Sequence, residues 1–417
     1  MATRLRRLRI ERFRDVEPGT ELRFSDRWNV LLGRNGSGKT TLLHLVSMVL
    51  RDDLTALRGE PFEIAYDLSM PGGDVSVTVR NAPAEEPLAR GRGYKATTRA
   101  LGREEGGASW EVVIGEGEPM RVTGDPRVVA PQDPLAGARR TATVFALPLK
   151  GDRPGSAMFE WSAADQASNR YRIDEGVAMF DAIVGAQHHP RASVPSRCGV
   201  GLLEHLGGVA LVGETFLPPA VGQAMARSFD RGRPTIEFEL GGDALLDRCV
   251  QLLDAPAVTV IAKPIDGEAA SRVGSAYGRF EFYVRRGEGR FVHHDQWSFG
   301  QQRLLTIFWY LACSPDAVVA DELVNGLHWE WIEACVEAIG ERQVFIALQN
   351  PLLLEHVGVS SPEDARRMFV LCRTALHEGL HGMVWIQPDE RQADRFYRAW
   401  STGIQPVHEV LKTEGLW

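Results

Sequence analysis

The chain has 417 residues, of which 44% are hydrophobic and 24% charged, and its formal net charge is −8. These are ordinary globular values, and the acidic balance argues against a protein coated in nucleic acid, although it does not exclude a local basic patch. No apolar run approaches the roughly 18 residues needed to cross a bilayer and no apolar leader opens the chain, so we expect a cytoplasmic protein without a membrane partner.

The first elements predict two strands, a glycine-rich loop and a helix. Residues 5–16, LRRLRIERFRDV, alternate apolar and basic side chains, as a half-exposed strand does. The short run RWNVLL at residues 27–32 predicts a buried strand. The apolar run TLLHLVSMVL, which follows Thr40, predicts a helix packed inside an α/β layer.

The loop between that strand and helix has the pattern G-x-x-x-x-G-K-T, from Gly33 to Thr40. In this pattern consecutive backbone N–H groups surround phosphate oxygens, because glycines permit turns that side chains would block. Lys39 supplies charge to the β and γ phosphates, and the Thr40 hydroxyl can coordinate Mg²⁺. The alternative, a purely structural turn, explains less, because a strand precedes the loop and a helix follows it. The predicted nucleotide contacts are Gly33, Arg34, Asn35, Gly36, Ser37, Gly38, Lys39, Thr40 and Thr41.

The middle of the chain predicts a layer of strands and then a helical insertion. Four segments between residues 60 and 150 predict antiparallel strands: FEIAYDLSM, DVSVTVRNA, SWEVVIGE and TATVFALPL. Residues 151–290 mix two helix-like pieces, DEGVAMFDAIVGA and GDALLDRCVQLLDA, with glycine-rich and proline-rich connections. Because no heptad repeat is sustained, we expect a compact helical insertion rather than a coiled-coil arm. GRFEFYVRRGEGRFVHHD then predicts a hairpin.

Two histidine groups are weak metal candidates. His188-His189 and His293-His294-Asp295 have no cysteine or histidine partners at ligand spacing, and the five cysteines form no C-x-x-C pair. We expect solvated loop histidines.

An acidic pair ends a second buried strand. AVVADE, at residues 317–322, places Asp321 and Glu322 after four apolar residues. Beside a phosphate loop, Asp321 would hold the Mg²⁺ shell and Glu322 would orient and deprotonate the attacking water. The alternative is a strand that simply ends in a surface acidic pair.

The segment WSFGQQR, at residues 297–303, stands directly before a predicted helix. It resembles the LSGGQ signature of the ATP-binding-cassette (ABC) class, with Trp297 and Phe299 in place of leucine and glycine. The resemblance implies that Ser298, Gly300 and Gln301 meet the γ phosphate of an ATP bound by a partner subunit. A serine that only caps a helix is the alternative.

DELVNGLH, at residues 321–328, resembles the DExxxxLH run of the AAA-type ABC subgroup that includes the OLD-family ATPases and relatives in bacterial defence systems. This segment would be the D-loop at a dimer interface, and His328 is equally well explained as a capping or packing residue. In VFIALQNP, Gln349 stands where relatives carry a switch histidine. Gln349 can hydrogen-bond the γ phosphate or the lytic water but cannot become cationic, so we expect slow or partner-triggered hydrolysis. A polar strand end is the alternative.

The segment IERFR, at residues 10–14, is similar to the I-x-N-F-R segment of SMC-like and RecF-like heads. That similarity implies that Arg14 contacts the ribose or a phosphate of the nucleotide. An exposed strand face also accounts for the arginines of this segment.

Together these motifs predict an α/β, ABC-type P-loop NTPase head with a mixed central sheet, an antiparallel β layer and the helical insertion. We expect an N-terminal ATPase lobe at 1–150, the insertion at 151–290 and a C-terminal ATPase lobe at 291–417. The resemblance implies ATP and Mg²⁺ as cofactors, a homodimer, and a sensor or regulator of anti-phage defence with a separate nuclease or toxin as effector. The runner-up is a RecF-like or SMC-like DNA repair ATPase that binds DNA directly, and a third reading is a scaffold with a structural nucleotide.

Overall fold

The structure is a computed structural model. It describes residues 4–51, 57, 60–70, 73–81, 96–104, 107–114, 120–124, 147–148, 156–157, 170–171, 200–205, 208–212, 218–229, 233–264, 275–286, 289–314, 317–324, 326–348, 351–377 and 380–416.

The described strands are β1 (Arg4–Phe13), β2 (Thr20–Arg23), β3 (Trp28–Leu32), β4 (Phe62–Met70), β5 (Gly73–Asn81), β6 (Ala96–Glu104), β7 (Gly107–Ile114), β8 (Met120–Gly124), β9 (Leu147–Pro148), β10 (Ser156–Ala157), β11 (Arg170–Tyr171), β12 (Val200–His205), β13 (Gly208–Val212), β14 (Ile236–Glu239), β15 (Val258–Pro264), β16 (Ser275–Arg286), β17 (Arg290–His293), β18 (Ala317–Asp321), β19 (Gln343–Ala347), β20 (Phe369–His377) and β21 (Leu380–Ile386). The described α-helices are α1 (Lys39–Arg51), α2 (Pro219–Ser228), α3 (Ala244–Leu252), α4 (Phe299–Cys313), α5 (Trp329–Ile339), α6 (Pro362–Met368), α7 (Glu390–Ser401) and α8 (Val407–Thr413).

The chain divides into two compact units. The first unit comprises Met1–Arg170, Pro315–Glu322 and Glu341–Trp417, and the second comprises Tyr171–Ser314 and Leu323–Gly340. Each unit therefore combines segments that are distant in sequence. The expected division at residues 150 and 290 stays a prediction.

An antiparallel sheet of the first unit has the strand order β2-β1-β4-β5-β8-β7-β6. In β1 the apolar side chains are buried between basic ones, as the sequence pattern predicts, and they join one hydrophobic core with α1 and β4. Strands β4, β5 and β7 confirm three of the four predicted strands. Of the fourth, TATVFALPL, only Leu147–Pro148 lies among the described residues.

The second sheet of the first unit has the order β11-β18-β19-β3-β20-β21. Strands β18, β19, β3 and β20 run parallel, and β21 is antiparallel to β20, which confirms the mixed sheet. Every residue of β3, β18 and β19 is buried, because layers cover both faces of such strands. The carboxyl ends of β3 and β18 lie at the same edge, so the phosphate loop and the acidic pair meet there.

The second unit contains an antiparallel sheet of order β13-β12-β16-β15-β14, with β17 paired to β16. Helix α3 confirms the prediction from GDALLDRCVQLLDA, and β16 with β17 confirms the hairpin. The other helix-like piece, DEGVAMFDAIVGA, lies outside the described residues.

The helical character expected of residues 151–290 needs correction, because five strands of this sheet fall in the described part of that range. Short period-two runs such as Ile236–Glu239 are weaker signals than the helical patterns beside them. None of the described helices combines the length and the apolar character that a membrane span requires.

Candidate nucleotide-binding site

The phosphate loop, Gly33 to Thr41, lies between β3 and α1 in the first unit. Gly33 has φ 149°, and a Cβ atom there would collide with the carbonyl oxygen of Cys372. Gly38 has φ 86°, and a Cβ atom there would stand 2.5 Å from Met383 Sδ and 3.0 Å from Trp385 Nε1. The loop is thus pressed against β20 and β21, and glycine is required for space as well as for backbone conformation.

The side chain of Lys39 reaches back into the phosphate loop. Its side chain is only 7% exposed, and Nζ donates hydrogen bonds to the carbonyl oxygens of Gly33 at 2.6 Å and Arg34 at 3.1 Å. Burial lowers the pKa of Lys39, whereas the carboxylates of Asp321 and Glu322 act in the opposite direction. The two hydrogen bonds therefore hold Nζ inside the loop, where phosphate oxygens would bind.

Thr40 joins the phosphate loop to the acidic strand end. Its Oγ1 donates a 2.7 Å hydrogen bond to Oδ2 of Asp321, the last residue of β18. Asp321 is buried, and the hydroxyl and carboxylate are oxygen donors of the kind that Mg²⁺ prefers. The donor set at this point fits a magnesium ion.

Glu322 follows directly and turns the chain away from the sheet. Its φ is 54°, a left-handed conformation that is uncommon for a residue other than glycine. Its backbone N–H donates to the carbonyl oxygen of Ala347 at 2.9 Å, which extends the pairing of β18 with β19 by one residue. Such conformations cost of order 1–3 kcal/mol and cluster at functional sites.

Ser298 begins helix α4 in the second unit with a reciprocal pair of hydrogen bonds. Its Oγ accepts from the Gln301 backbone N–H at 3.3 Å, and Gln301 Oε1 accepts from the Ser298 N–H at 3.0 Å. The alternative reading of Ser298 as a helix cap is therefore correct in part. It leaves the hydroxyl hydrogen available to a phosphate oxygen.

Residues of the DELVNGLH segment pack against this helix start. A Cβ atom on Gly300 would lie 3.0 Å from the Trp331 ring, and one on Gly326 would lie 2.9 Å from the Phe299 ring. Arg303, buried in α4, donates through Nη2 to the Leu323 carbonyl oxygen at 3.1 Å. The helix start that resembles the ABC signature thus packs against Leu323, Gly326 and Trp331 within the second unit.

The remaining candidates have different outcomes. Arg14, in the first unit, forms a bidentate ion pair with Glu60. His328 precedes α5, and its side chain makes no capping hydrogen bond. Gln349 lies outside the described residues.

His294 contradicts the expectation of solvated histidines, because it is 4% exposed. Its Nδ1 accepts a hydrogen bond from the Phe282 N–H at 3.2 Å, and burial lowers its pKa to about 4. A neutral ring whose Nδ1 accepts a hydrogen bond carries its proton on Nε2, which lies 3.3 Å from Asp295 Oδ1. A metal at Nε2 would need that proton on Nδ1, opposite a backbone N–H, so the clustered side chains of His293, His294 and Asp295 suit a metal poorly. His188 and His189 lie outside the described residues.

Met383 and Trp385 are the site residues that sequence reasoning missed. They lie on β21 and form the wall behind Gly38, and Trp385 Nε1 is buried without a hydrogen-bond partner. Nothing in LHGMVWI marks this role, because it depends on the pairing of β21 with β20 far from the glycine-rich loop.

Part of the first unit matches a known protein family. Residues 7–78 match the AAA domain family. The matched segment contains most of β1, the phosphate loop and α1. No curated protein matches the chain.

The chain is also similar to solved structures at low identity. The SMC head domain from Thermotoga maritima is 13% identical, with 92% of this chain and 100% of that chain covered and a TM-score of 0.39. The SmcHead bound to the C-winged helix domain of ScpA is 12% identical, with coverage of 92% and 98% and a TM-score of 0.41. The Smc head domain with an extended coiled coil, bound to the C-terminal domain of ScpA derived from Pyrococcus furiosus, is 9% identical, with coverage of 96% and 98% and a TM-score of 0.40.

Proposed function

We propose that this chain is an ABC-class AAA ATPase that binds ATP with Mg²⁺ and hydrolyses it. The hydrogen bond between Thr40 and Asp321 carries the proposal, because it joins two motifs 281 positions apart at one edge of the sheet. A glycine-rich turn with a purely structural role would have no need of a buried carboxylate at its hydroxyl.

In the proposed reaction Lys39 exchanges its two carbonyl partners for oxygens of the β and γ phosphates. Water attacks the γ phosphorus and Glu322 accepts its proton, while the bond from phosphorus to the bridging oxygen breaks and ADP and phosphate leave. Mg²⁺, held by Thr40 and Asp321, would offset phosphate charge. Gln349 would donate a hydrogen bond to the γ phosphate or to the water, and because it cannot become cationic, turnover is slow or partner-stimulated.

A second copy of the chain completes the site in this proposal. Ser298, Gly300 and Gln301 of that copy approach the γ phosphate with a hydroxyl group and the amino end of α4, which favours anions. ATP then closes a homodimer, and hydrolysis removes the bridging phosphate and opens it.

We infer a cytoplasmic, nucleotide-gated regulator whose closed state is read by a separate effector protein, a nuclease or toxin of anti-phage defence. Arginines of β1 and its neighbours pair with acids: Arg6 with Asp26, Arg7 with Asp67, Arg9 with Glu11, Arg23 with Glu21 and Arg27 with Glu341. These pairs neutralise much of the basic charge of this surface, which favours a protein effector over direct DNA binding. Turnover stimulated by DNA alone would favour the repair ATPase instead.

The test is Glu322→Gln, which keeps the shape of the side chain and removes the base. We expect ATP turnover to fall by about 10²-fold or more and an ATP-retaining dimer to accumulate, as measured by phosphate release and by light scattering with and without ATP. The matched control is Glu333→Gln on the exposed side of α5. Equal turnover in both variants would contradict the role of Glu322, and a monomer at all ATP concentrations would contradict the dimer.

A further inference from the structure

Arg14, in the turn after β1, combines a left-handed backbone conformation with a paired side chain. Its backbone φ is 48°, and its guanidinium group lies 5.1 Å from the centre of the Phe13 ring. Two parallel hydrogen bonds join it to Glu60, from Nε to Oε2 at 2.8 Å and from Nη2 to Oε1 at 3.0 Å. These bonds raise the pKa of Arg14 and lower the pKa of Glu60, so both groups are charged at neutral pH.

This turn is attached to the strand that backs the phosphate loop. The Met383 N–H donates to the Asp15 carbonyl oxygen at 2.6 Å, and the Glu17 N–H donates to the Met383 carbonyl oxygen at 2.9 Å. Val16 therefore pairs with Met383 as one parallel bridge. Since Met383 Sδ also packs against Gly38, Met383 contacts both the turn and the phosphate loop.

Arg14 is thus a cation on a turn that shares Met383 with the phosphate loop, and Glu60 of the same unit already neutralises it. Its side chain is 40% exposed and that of Glu60 37%, so water reaches the pair and its net strength is small. An incoming nucleotide brings several negative charges to the loop and can outcompete one half-exposed carboxylate.

We propose that Glu60 and the bound nucleotide compete for Arg14, so that Glu60 is a built-in counter-ion that weakens ATP binding until the pair opens. This inference rests on the proposed function. In the open state the Arg14 guanidinium group donates to an oxygen of the nucleotide, and Glu60 turns to water. The pair sets the ATP concentration at which the phosphate loop fills.

The experiment measures the Kd of ATP by calorimetry in full-length Glu322→Gln protein, so that ATP is not consumed. Glu60→Gln in this background should tighten Kd by about 3- to 10-fold, because the competing charge is gone while the side-chain shape stays. Glu60→Asp keeps the charge but cannot reach both nitrogens, so a smaller tightening is expected, and it carries the test if Glu60→Gln does not fold. The matched control is Glu11→Gln, which removes an exposed ion pair with Arg9 on the same strand and should leave Kd unchanged.

Arg14→Asn tests whether the effect passes through the arginine, and asparagine tolerates the left-handed backbone. Arg14→Asn should weaken binding, and adding Glu60→Gln to it should then have no further effect. A Kd in Glu60→Gln equal to that in Glu11→Gln, or tightening that persists in the double variant, overturns this inference alone. If the Glu322→Gln protein without further substitutions fails to bind ATP, the proposed function is overturned and this inference with it.

Discussion

The phosphate loop of the first unit and the capped start of α4 in the second unit are both candidate phosphate contacts, and they are built differently. The loop is shaped by distant residues: Asp321 bonds Thr40, and Met383 supports Gly38. Ser298 is held by Gln301, three residues away on the same helix. A contact made within one helical turn forms wherever that helix forms, whereas the loop depends on the complete sheet. Glycine substitutions in the loop should therefore separate binding from folding less cleanly than substitutions at the cap.

The largest effect is expected from removal of the loop cation. Lys39→Met should lower ATP turnover by about 10²–10³-fold, since a charge aimed at the transferred phosphate is lost. The free energy of unfolding should change by only about 1 kcal/mol, because a buried ammonium group leaves together with its two hydrogen bonds. Phosphate release and urea denaturation measure the two quantities. Lys412→Met, at an exposed position of α8, is the control, and equal turnover in both variants would contradict the assignment.

The next effect tests whether distant residues shape the loop. Gly38→Ala introduces a Cβ atom against Met383 as well as a strained backbone, whereas Gly36→Ala introduces only the strain, since nothing lies within 4 Å. We expect Gly38→Ala to cost about 1–3 kcal/mol more than Gly36→Ala in urea denaturation, the usual price of overpacking. Equal costs would mean that β21 does not press on the loop.

A smaller effect concerns the bond between the two motifs. Thr40→Val removes the hydroxyl group and should raise the Mg²⁺ concentration for half-maximal turnover by about tenfold or more, because a candidate ligand is lost. Thr40→Ser keeps the hydroxyl and should restore the dependence on Mg²⁺. If Thr40→Ser behaves like Thr40→Val, the loss is due to packing and not to the metal.

The smallest effect is expected at the local cap. Ser298→Ala and Asp389→Ala each remove the serine or aspartate of a reciprocal capping pair, the second at the start of α7. Both should cost about 1 kcal/mol in thermal or urea unfolding. Only Ser298→Ala should also reduce ATP turnover. Loss of turnover in both variants would mean that Ser298 acts only as a helix cap.

Sequence reasoning succeeded where one short segment carries the whole signal. The glycine spacing from Gly33 to Gly38, the buried strand ending in Asp321 and the hairpin before Ser298 each depend on residues within a few positions of one another. It did not succeed where partners come from far along the chain. His294 looks like a loop histidine until β17 folds onto β16 and the Phe282 N–H meets its ring. The short strands of the second unit have patterns too brief to stand out beside a helix.

The amino-acid sequence by itself determined which segments are strand, loop and helix around the phosphate loop, and which side chains we predict to bind phosphate and magnesium. Both depend on local backbone preference and on side-chain chemistry, which are set by residues that are neighbours in sequence. Only the tertiary structure decided that Thr40 meets Asp321, that Met383 and Trp385 stand behind Gly38, and that Glu60 already holds Arg14. Such contacts join positions whose separation along the chain carries no periodic signal, so they exist only once the strands have paired.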